Sequence, residues 1–192
     1  TIPGANLYLL NPSGVLFGEH AQLDVPGSVH VSTAAELRLS DGAAFSAASP
    51  GISTLSVAPP EAFGFLGPNR GEIRIEGSQL TFTPGRRVTL SAGDITVQDS
   101  LLLIECGDLV LTAMGDATGL APINSVLAGE AQGRLTIENV QWDEENPLGL
   151  WVSGDGGGGV WLRGGETRLR NAAMIADNWG TRDATRGVDL EA

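Results

Sequence analysis

Short blocks of this sequence repeat with their apolar residues in register, and this repetition limits the possible folds more than any other feature. Ile73 and Ile75 recur 22 residues later as Ile95 and Val97. Each block alternates apolar with polar residues and is bounded by Gly, Asn or Asp, which is typical of short β-strands joined by tight turns. A repeat of about 20 residues that holds two or three such strands predicts a solenoid.

Stacked copies of one block bury the apolar face that a single copy leaves exposed. The predicted fold is all-β, a parallel β-helix whose equivalent apolar residues form ladders at a strand spacing of about 4.8 Å. A β-sandwich is the alternative because it also has short alternating strands, but it needs no self-similar blocks. We predict about six coils of about 22 residues, at residues 5–27, 28–51, 71–92, 93–115, 133–157 and 158–187.

Two segments, residues 52–70 and 116–132, interrupt the period and are predicted to leave the helix as excursions. The first contains an apolar run and is expected to fold back as a hairpin or flap over an edge of the core. An offset of 62 residues carries the repeat past the second excursion. That offset places Leu150 in the same ladder as Val88.

Charge and cysteine content narrow the classes of function. The chain has 192 residues and a net charge of −12, and its 11 basic residues are all Arg. Such an acidic field repels phosphate backbones and anionic lipid headgroups, so we predict no nucleic-acid partner. No stretch approaches the roughly 18 apolar residues of a membrane span, so the chain is predicted not to be membrane-embedded. The single cysteine, Cys106, excludes an intramolecular disulfide and a multi-cysteine metal site.

The most specific local signal is a turn in the first coil, Asn11-Pro12-Ser13-Gly14. Proline at the second position presets the backbone angle that a type I or type II turn requires. Apolar residues alternate on both sides of the turn and end at Phe17. The residues alone leave two roles open, shaping the first coil or contacting a partner, and the two can coexist.

Residues 5–18 resemble the NPNG-type motif of the secretion domain in filamentous-haemagglutinin-like exoproteins, the TpsA proteins of two-partner secretion. Ser13 stands where that family often has Asn. Similarity is strongest over residues 1–115 and becomes looser and repeat-like beyond them. Further segments that resemble the family are residues 21–28, 32–34, 56–66 and 162–165.

The resemblance implies a right-handed parallel β-helix, secreted to the bacterial cell surface and recognised by an outer-membrane transporter of the Omp85 type. It also implies adhesion, with a host or neighbouring-cell surface glycan or protein as partner. Residues 1–115 would be the C-terminal part of the secretion domain, and residues 116–192 would continue the β-helix as passenger repeats. No catalytic residue, cofactor or metal site is predicted. Transporter recognition would fall to Asn11, Pro12, Ser13, Gly14, Phe17 and Gly18.

A β-helical polysaccharide lyase or glycosidase is the enzymatic alternative. Asp94, Asp99, Asp108 and Asp116 come from adjacent coils, but aspartate is also a routine turn residue. Glycoside hydrolysis requires two carboxylates about 5–10 Å apart in one groove, which is the test of this alternative. The acidic run at residues 143–145 offers oxygen ligands for Ca²⁺ without the spacing of a known calcium loop.

Trp151 and Trp161 alternate with apolar residues and are expected to face outward on neighbouring coils. They could form a strip for sugar stacking or protein docking, as in a carbohydrate-binding module. His30 alternates with valines and is expected to face outward and be solvated. The alternation at residues 188–191 is expected to open a further coil, which neighbouring sequence would continue.

Overall fold

The computed structural model describes residues 4–68, 71–125, 131–140, 148–184 and 186–191. Within them the regular structure is β, apart from one 3-10 helix of three residues at Pro50–Ile52. None of the helical structure in this part of the chain has the length and hydropathy needed to span a bilayer.

Three parallel sheets contain most of the strands, and in each the strands are stacked in chain order. Sheet 1 contains β1 (Leu7–Leu10), β3 (Val29–Ser32), β9 (Arg87–Ala92), β12 (Asp108–Ala113), β16 (Gly159–Arg163) and β19 (Val188–Glu191). Sheet 2 contains β2 (Val15–Phe17), β7 (Ile73–Glu76), β10 (Ile95–Gln98), β14 (Arg134–Val140) and β17 (Glu166–Ala172). Sheet 3 contains β8 (Gln79–Thr81), β11 (Leu101–Leu103), β15 (Gly149–Trp151) and β18 (Met174–Ile175).

The chain visits sheets 1, 2 and 3 in turn and then returns to sheet 1 one strand further along, which is the path of a parallel β-helix. Ile95 pairs with Ile73 on one side and with Leu135 on the other, and all three side chains are fully buried. Their polar neighbours point outward, because side chains alternate along a strand. The predicted all-β parallel β-helix is confirmed, including the 22-residue register between β7 and β10.

A fourth, antiparallel sheet lies outside the helix and is called the outer sheet below. It contains β4 (Glu36–Leu39), β5 (Ala44–Ser46), β6 (Pro60–Phe65) and β13 (Gly119–Pro122), in the order β13-β6-β4-β5. The first three strands leave the helix between β3 and β7, and the last leaves it between β12 and β14. The two excursions therefore form one structure, in which β13 completes the edge of β6.

The outer sheet corrects the predicted second coil. Residues 28–51 were expected to form a helical coil, but only β3 of that segment belongs to sheet 1. β4 and β5 form a hairpin in which Asp41 and Gly42 make the turn. The excursion therefore starts well before residue 52. Alternation alone predicted the strands and could not show whether they pair with the neighbouring coil or with each other.

The register beyond the second excursion also differs from the predicted one. Leu150 pairs with Leu102 in sheet 3, so it does not lie in the ladder of Val88. That ladder continues through Leu109 to Val160 in sheet 1. Because the connection between β14 and β15 is longer than in the preceding coil, a constant offset assigns the later strands to the wrong sheet.

A column of residues with left-handed backbone marks the corner between sheets 2 and 3. Each of these residues lies at the end of a strand of sheet 2 and has a positive φ of 47–62°: Gly77 and Asp99 directly follow β7 and β10, and Asn139 and Asn171 are the penultimate residues of β14 and β17. Glycine, asparagine and aspartate tolerate this conformation better than other residues. The side-chain amide Nδ2 of Asn171 donates a hydrogen bond to Asn139 Oδ1 at 3.4 Å, so these two residues of neighbouring coils contact each other through their side chains.

Candidate functional site

The turn at residues 11–14 connects β1 to β2, at the corner between sheets 1 and 2. The Gly14 amide donates to the Asn11 carbonyl at 3.1 Å, and the Ser13 amide donates to Asn11 Oδ1 at 3.1 Å. Ser13 does not have the positive φ that a type II turn needs at its third position, so the turn is type I. Asn11 and Ser13 are exposed, and Pro12 is half-buried.

The next coil supports this turn directly. The Gly71 amide donates to the Pro12 carbonyl at 3.0 Å, and the Val15 amide donates to the Glu72 carbonyl at 3.0 Å. A Cβ built at Gly71 would overlap the Gly14 backbone, so this close approach requires glycine. The turn therefore has a rigid base, formed by the first residues of the coil that follows the first excursion.

Both excursions leave the helix at this same corner, between sheets 1 and 2. Beside the turn, the corner contains a mainly apolar groove of about 250 Å³. Leu66, with 58% of its surface exposed, lies at this groove. We call the turn at residues 11–14 together with residues 66–68 the corner surface. The full lining of the groove is Pro12, Thr33, Ala35, Ala48, Phe65, Leu66, Gly67 and Pro68.

Phe17 and Gly18, the other two motif residues, do not belong to this surface. Phe17 is 8% exposed and packs in the core of the β-helix. The Gly18 carbonyl accepts a hydrogen bond from Ser78 Oγ at 2.7 Å, which ties the first coil to the second. In the folded domain these two residues hold the first coil in place, whereas Asn11 and Ser13 face solvent.

The outer sheet encloses a second apolar cluster against the outer face of sheet 1. Phe63 and Phe65 of β6 pack there with Met114 and Ile123, and Tyr8 of β1 contacts the cluster. This part of sheet 1 is therefore buried on both faces. Sequence periodicity identified the inner ladders, and the apolar run in residues 52–70 predicted a flap over an edge of the core, but neither predicted a separate apolar cluster.

His30 lies under the outer sheet, which corrects the expectation that it is solvated. Its side chain points away from the helix core, as its alternation with valines indicates, yet it is only 2% exposed. The ring stacks on Tyr8 at a centroid distance of 4.8 Å. Burial, with a smaller contribution from the positive charge of Arg87, lowers the pKa of His30 from 6.5 to about 4.

Further along the same corner, toward the C-terminal coils, the surface is acidic. A cavity of about 380 Å³ is lined by Glu72, Asp94, Asp116 and Glu166, with Arg134 among them. The Arg134 guanidinium lies 3.1 Å from Glu166 Oε2, and the Arg134 amide donates to Asp94 Oδ1 at 2.6 Å. The hydrogen bond and charge of Glu166 raise the pKa of Arg134, and the hydrogen bonds from Arg134 and Arg168 lower the pKa of Glu166. The Glu166 carboxylate is therefore held ionised.

The four aspartates proposed for an enzymatic site do not converge on one groove. Asp94 and Asp116 line the acidic cavity, whereas Asp99 lies at the corner between sheets 2 and 3. Asp108 lies on sheet 1, where it pairs with Arg87 at 3.0 Å and with Arg186. Of the four aspartates, two therefore share a cavity, with Glu72 and Glu166 beside them, and the other two lie elsewhere. The described residues hold no group of three or more His, Cys, Asp or Glu arranged to bind a metal ion, and residues 143–145 lie outside them.

Trp151 and Trp161 lie on neighbouring coils, as predicted, but in different sheets, so they do not form a strip along one sheet face. Trp151 lies in β15 of sheet 3, and Trp161 lies in β16 of sheet 1. Both are half-buried, and the Trp161 ring covers Gly159. Trp151 packs edge to face against Trp179, with ring centroids 6.1 Å apart and planes at 76°. The sequence pattern gave no indication of Trp179, because it lies in an irregular loop.

Comparison with protein families gives one informative result. The family model described as the TPS secretion domain matches residues 2–145, three quarters of the chain. This span includes the turn at residues 11–14 and both excursions. No curated protein and no solved structure gives a significant match to the chain.

Proposed function

The chain belongs to the TPS secretion domain family, and we propose that its corner surface is the part of the folded domain that the transporter recognises. The family makes this chain a TpsA-type two-partner secretion domain, part of a secreted exoprotein whose export partner is a TpsB transporter. The proposal adds which surface of the domain meets that partner.

The observation that supports the proposal is the position of the turn at residues 11–14. The turn stands at the corner from which both excursions leave, and it shares a groove with the exposed Leu66. Exposed apolar side chains rimmed by polar groups are common at protein–protein interfaces. Here the polar groups are Asn11 and Ser13, and the turn backbone is fixed by the hydrogen bonds from Gly71 and Val15.

Two substitutions at Asn11 separate recognition from folding. Asn11→Asp keeps a side-chain oxygen that can accept the hydrogen bond from Ser13, but it replaces the exposed amide by a carboxylate. Asn11→Ala removes the acceptor and should cost about 1 kcal/mol of turn stability. Export of the full-length protein, co-expressed with its transporter, is measured beside the thermal stability of the purified chain. We expect Asn11→Asp to fold normally and to be exported poorly.

A matched turn elsewhere provides the control. Asp41 Oδ1 accepts a hydrogen bond from the Ala43 amide at 3.0 Å, so Asp41→Ala removes the same kind of contact from the β4–β5 hairpin. We expect this variant to be exported normally. Normal export of Asn11→Asp, or equal loss in Asn11→Ala and Asp41→Ala, would show that the motif acts through folding alone.

Leu66→Asp tests the apolar half of the corner surface. Its control is Leu169→Asp, at a partly exposed leucine on β17 of sheet 2. We expect Leu66→Asp to reduce export and Leu169→Asp to leave it unchanged, with both purified variants folded. Normal export of Leu66→Asp with reduced export of Leu169→Asp would indicate that the transporter recognises sheet 2 instead.

We propose in addition that the exoprotein serves adhesion at the cell surface, as the resemblance to filamentous-haemagglutinin-like exoproteins implies. The acidic, lysine-free composition supports an extracellular partner that is neither nucleic acid nor an anionic membrane. Cells lacking the full-length protein should adhere less to host or neighbouring cells, and expression of the protein should restore adhesion.

A further inference from the structure

The outer sheet covers a face of sheet 1 that carries many polar side chains. Side chains alternate along a strand, so the neighbours of the inward-facing valines and leucines of sheet 1 point toward the outer sheet. The cover buries these polar groups away from water, which costs free energy unless each of them finds a hydrogen-bond partner. The polar side chains on this face of β3, β9 and β12 are at most 2% exposed: His30, Ser32, Thr89, Ser91 and Thr112.

Three polar atoms on this face have no hydrogen-bond partner among the described residues: His30 Nδ1, Thr89 Oγ1 and Ser91 Oγ. His30 lies directly opposite Thr89 on the neighbouring strand, and Ser32 lies opposite Ser91. A buried polar group without a partner destabilises the state that buries it, because an open form returns the group to water. The docked outer sheet is therefore weakened by the residues that it covers.

The outer sheet is connected within itself by strand pairing and to sheet 1 by packing. Its strand β6 pairs with β4 and β13, and β4 pairs with β5. Phe63 and Phe65 pack in the second apolar cluster, and Arg87 Nη1 donates to the Ile123 carbonyl over a long 3.4 Å. Both excursions start after a strand of sheet 1 and end before a strand of sheet 2. The outer sheet can therefore detach without breaking the pairing between coils.

We propose that the outer sheet detaches from sheet 1 and unfolds as one unit while the coils of the β-helix stay folded. Detachment returns the three unpaired polar atoms to water and exposes the second apolar cluster. It also takes apart the groove of the corner surface, whose lining includes Ala35, Ala48 and Phe65. The consequence for export rests on the proposed function, whereas the detachment itself is measured on the free chain.

Hydrogen exchange of the purified chain measures this opening. The amides of β4, β6 and β13 should show similar protection, because one event exposes all three strands to solvent. Their exchange should be about tenfold or more faster than that of β9 and β12, which stay paired within sheet 1.

Two substitutions remove an unpaired hydroxyl from the covered face. Thr89→Val and Ser91→Ala each leave an apolar group of nearly the same shape, so each should slow exchange in β4, β6 and β13 by about fivefold to tenfold. Exchange in β10 should not change. The matched control is Ser32→Ala, because the Ser32 hydroxyl donates to the Ser91 carbonyl at 2.8 Å and accepts from the Ala34 amide at 3.0 Å. This control should speed exchange in the outer sheet.

Two results would overturn the proposal. Equal protection in the outer sheet and in β9 and β12 would show that the outer sheet and the helix unfold together. Unchanged or faster exchange in both Thr89→Val and Ser91→Ala would show that the two hydroxyls do not weaken the docked sheet, as is expected if buried water pairs them. Circular dichroism of each variant checks that the coils remain folded.

Discussion

The β-helix and the outer sheet are built by opposite kinds of pairing. In the helix each strand pairs in parallel with its own counterpart one coil away, as Val97 pairs with Ile75 and Ile137. In the outer sheet, Phe63 of the first excursion pairs antiparallel with Ala121 of the second. The outer sheet therefore joins coils that are not neighbours, and it covers the face of sheet 1 between them.

This contrast explains how a repetitive scaffold acquires a unique surface. Stacked coils with similar corners would present the same surface many times. The excursions break that uniformity at one corner, and the turn at residues 11–14 lies beside the place where they leave. The following experiments test whether the two regions differ in stability and in their dependence on each other.

The largest loss of folding stability is expected from a charged residue placed in one of the inner apolar ladders of the β-helix. Leu102 is fully buried between Leu80 and Leu150, and Leu102→Asp places an unpaired carboxylate there. The variant should lose more than about 5 kcal/mol and fail to fold. Leu103→Asp, one residue further along β11, points to the opposite face and should cost much less. Circular dichroism and urea unfolding compare the two, and equal losses would contradict the alternation of the helix strands.

Phe63→Ala should damage the outer sheet while the helix stays folded. Phe63 is fully buried in the second cluster, and loss of a buried phenylalanine costs about 4 kcal/mol. Hydrogen exchange should rise in β4, β6 and β13 and stay slow in β10. Comparable loss of protection in β10 would show that the helix and the outer sheet unfold as one unit.

Acid should weaken the contact between the two regions through His30. Its pKa of about 4 in the folded chain lies below the ordinary 6.5, so the unfolded chain binds more protons between these two values. The contribution of neutral His30 is complete above about pH 6.5, is lost as the pH falls through 4, and amounts to at most about 3 kcal/mol. His30→Phe keeps the stack on Tyr8 and should reduce the difference in unfolding free energy between pH 7 and pH 4. An unchanged difference would assign the acid sensitivity to other groups.

The smallest change in stability is expected at the column of residues with left-handed backbone between sheets 2 and 3. Asp99→Asn should stabilise the chain by about 0.5 kcal/mol, because it removes one negative charge and extends the amide column of Asn139 and Asn171. The melting temperature should rise by about 1–2 °C. Asn139→Asp should lower it by a similar amount, and a rise in both variants would rule out an amide contribution.

The inner ladders were predictable from the sequence because a β-helix pairs each strand with a copy of itself. Repetition of Ile73 and Ile75 at residues 95 and 97 therefore predicted an actual contact. The outer sheet has no such signature, since its strands pair with unrelated segments. One local signal was available in the Asp41-Gly42 pair between two alternating runs, which is typical of a hairpin turn. The later register failed where the connection after β14 lengthens.

The candidate site also has one part that the sequence predicted and another part that it did not. The turn at residues 11–14 was evident from its proline and its flanking alternation. Its support by Gly71 and its groove beside Leu66 depend on where a long excursion returns, which no local pattern reports. Trp179 was likewise not predicted, because its position beside Trp151 of β15 depends on the course of an irregular loop after β18. The boundary at residue 115 stays a prediction, and the three sheets continue past it in the structure.

Hydrogen exchange of the folded chain with and without its purified transporter tests the central claim most directly. If the corner surface is the recognition surface, residues 11–14 and 66–68 gain protection when the two proteins bind, and β15 of sheet 3 does not. The Asn11→Asp variant should lose that protection while keeping the slow exchange of β10. Binding that protects sheet 3 and leaves residues 11–14 unchanged would contradict the account.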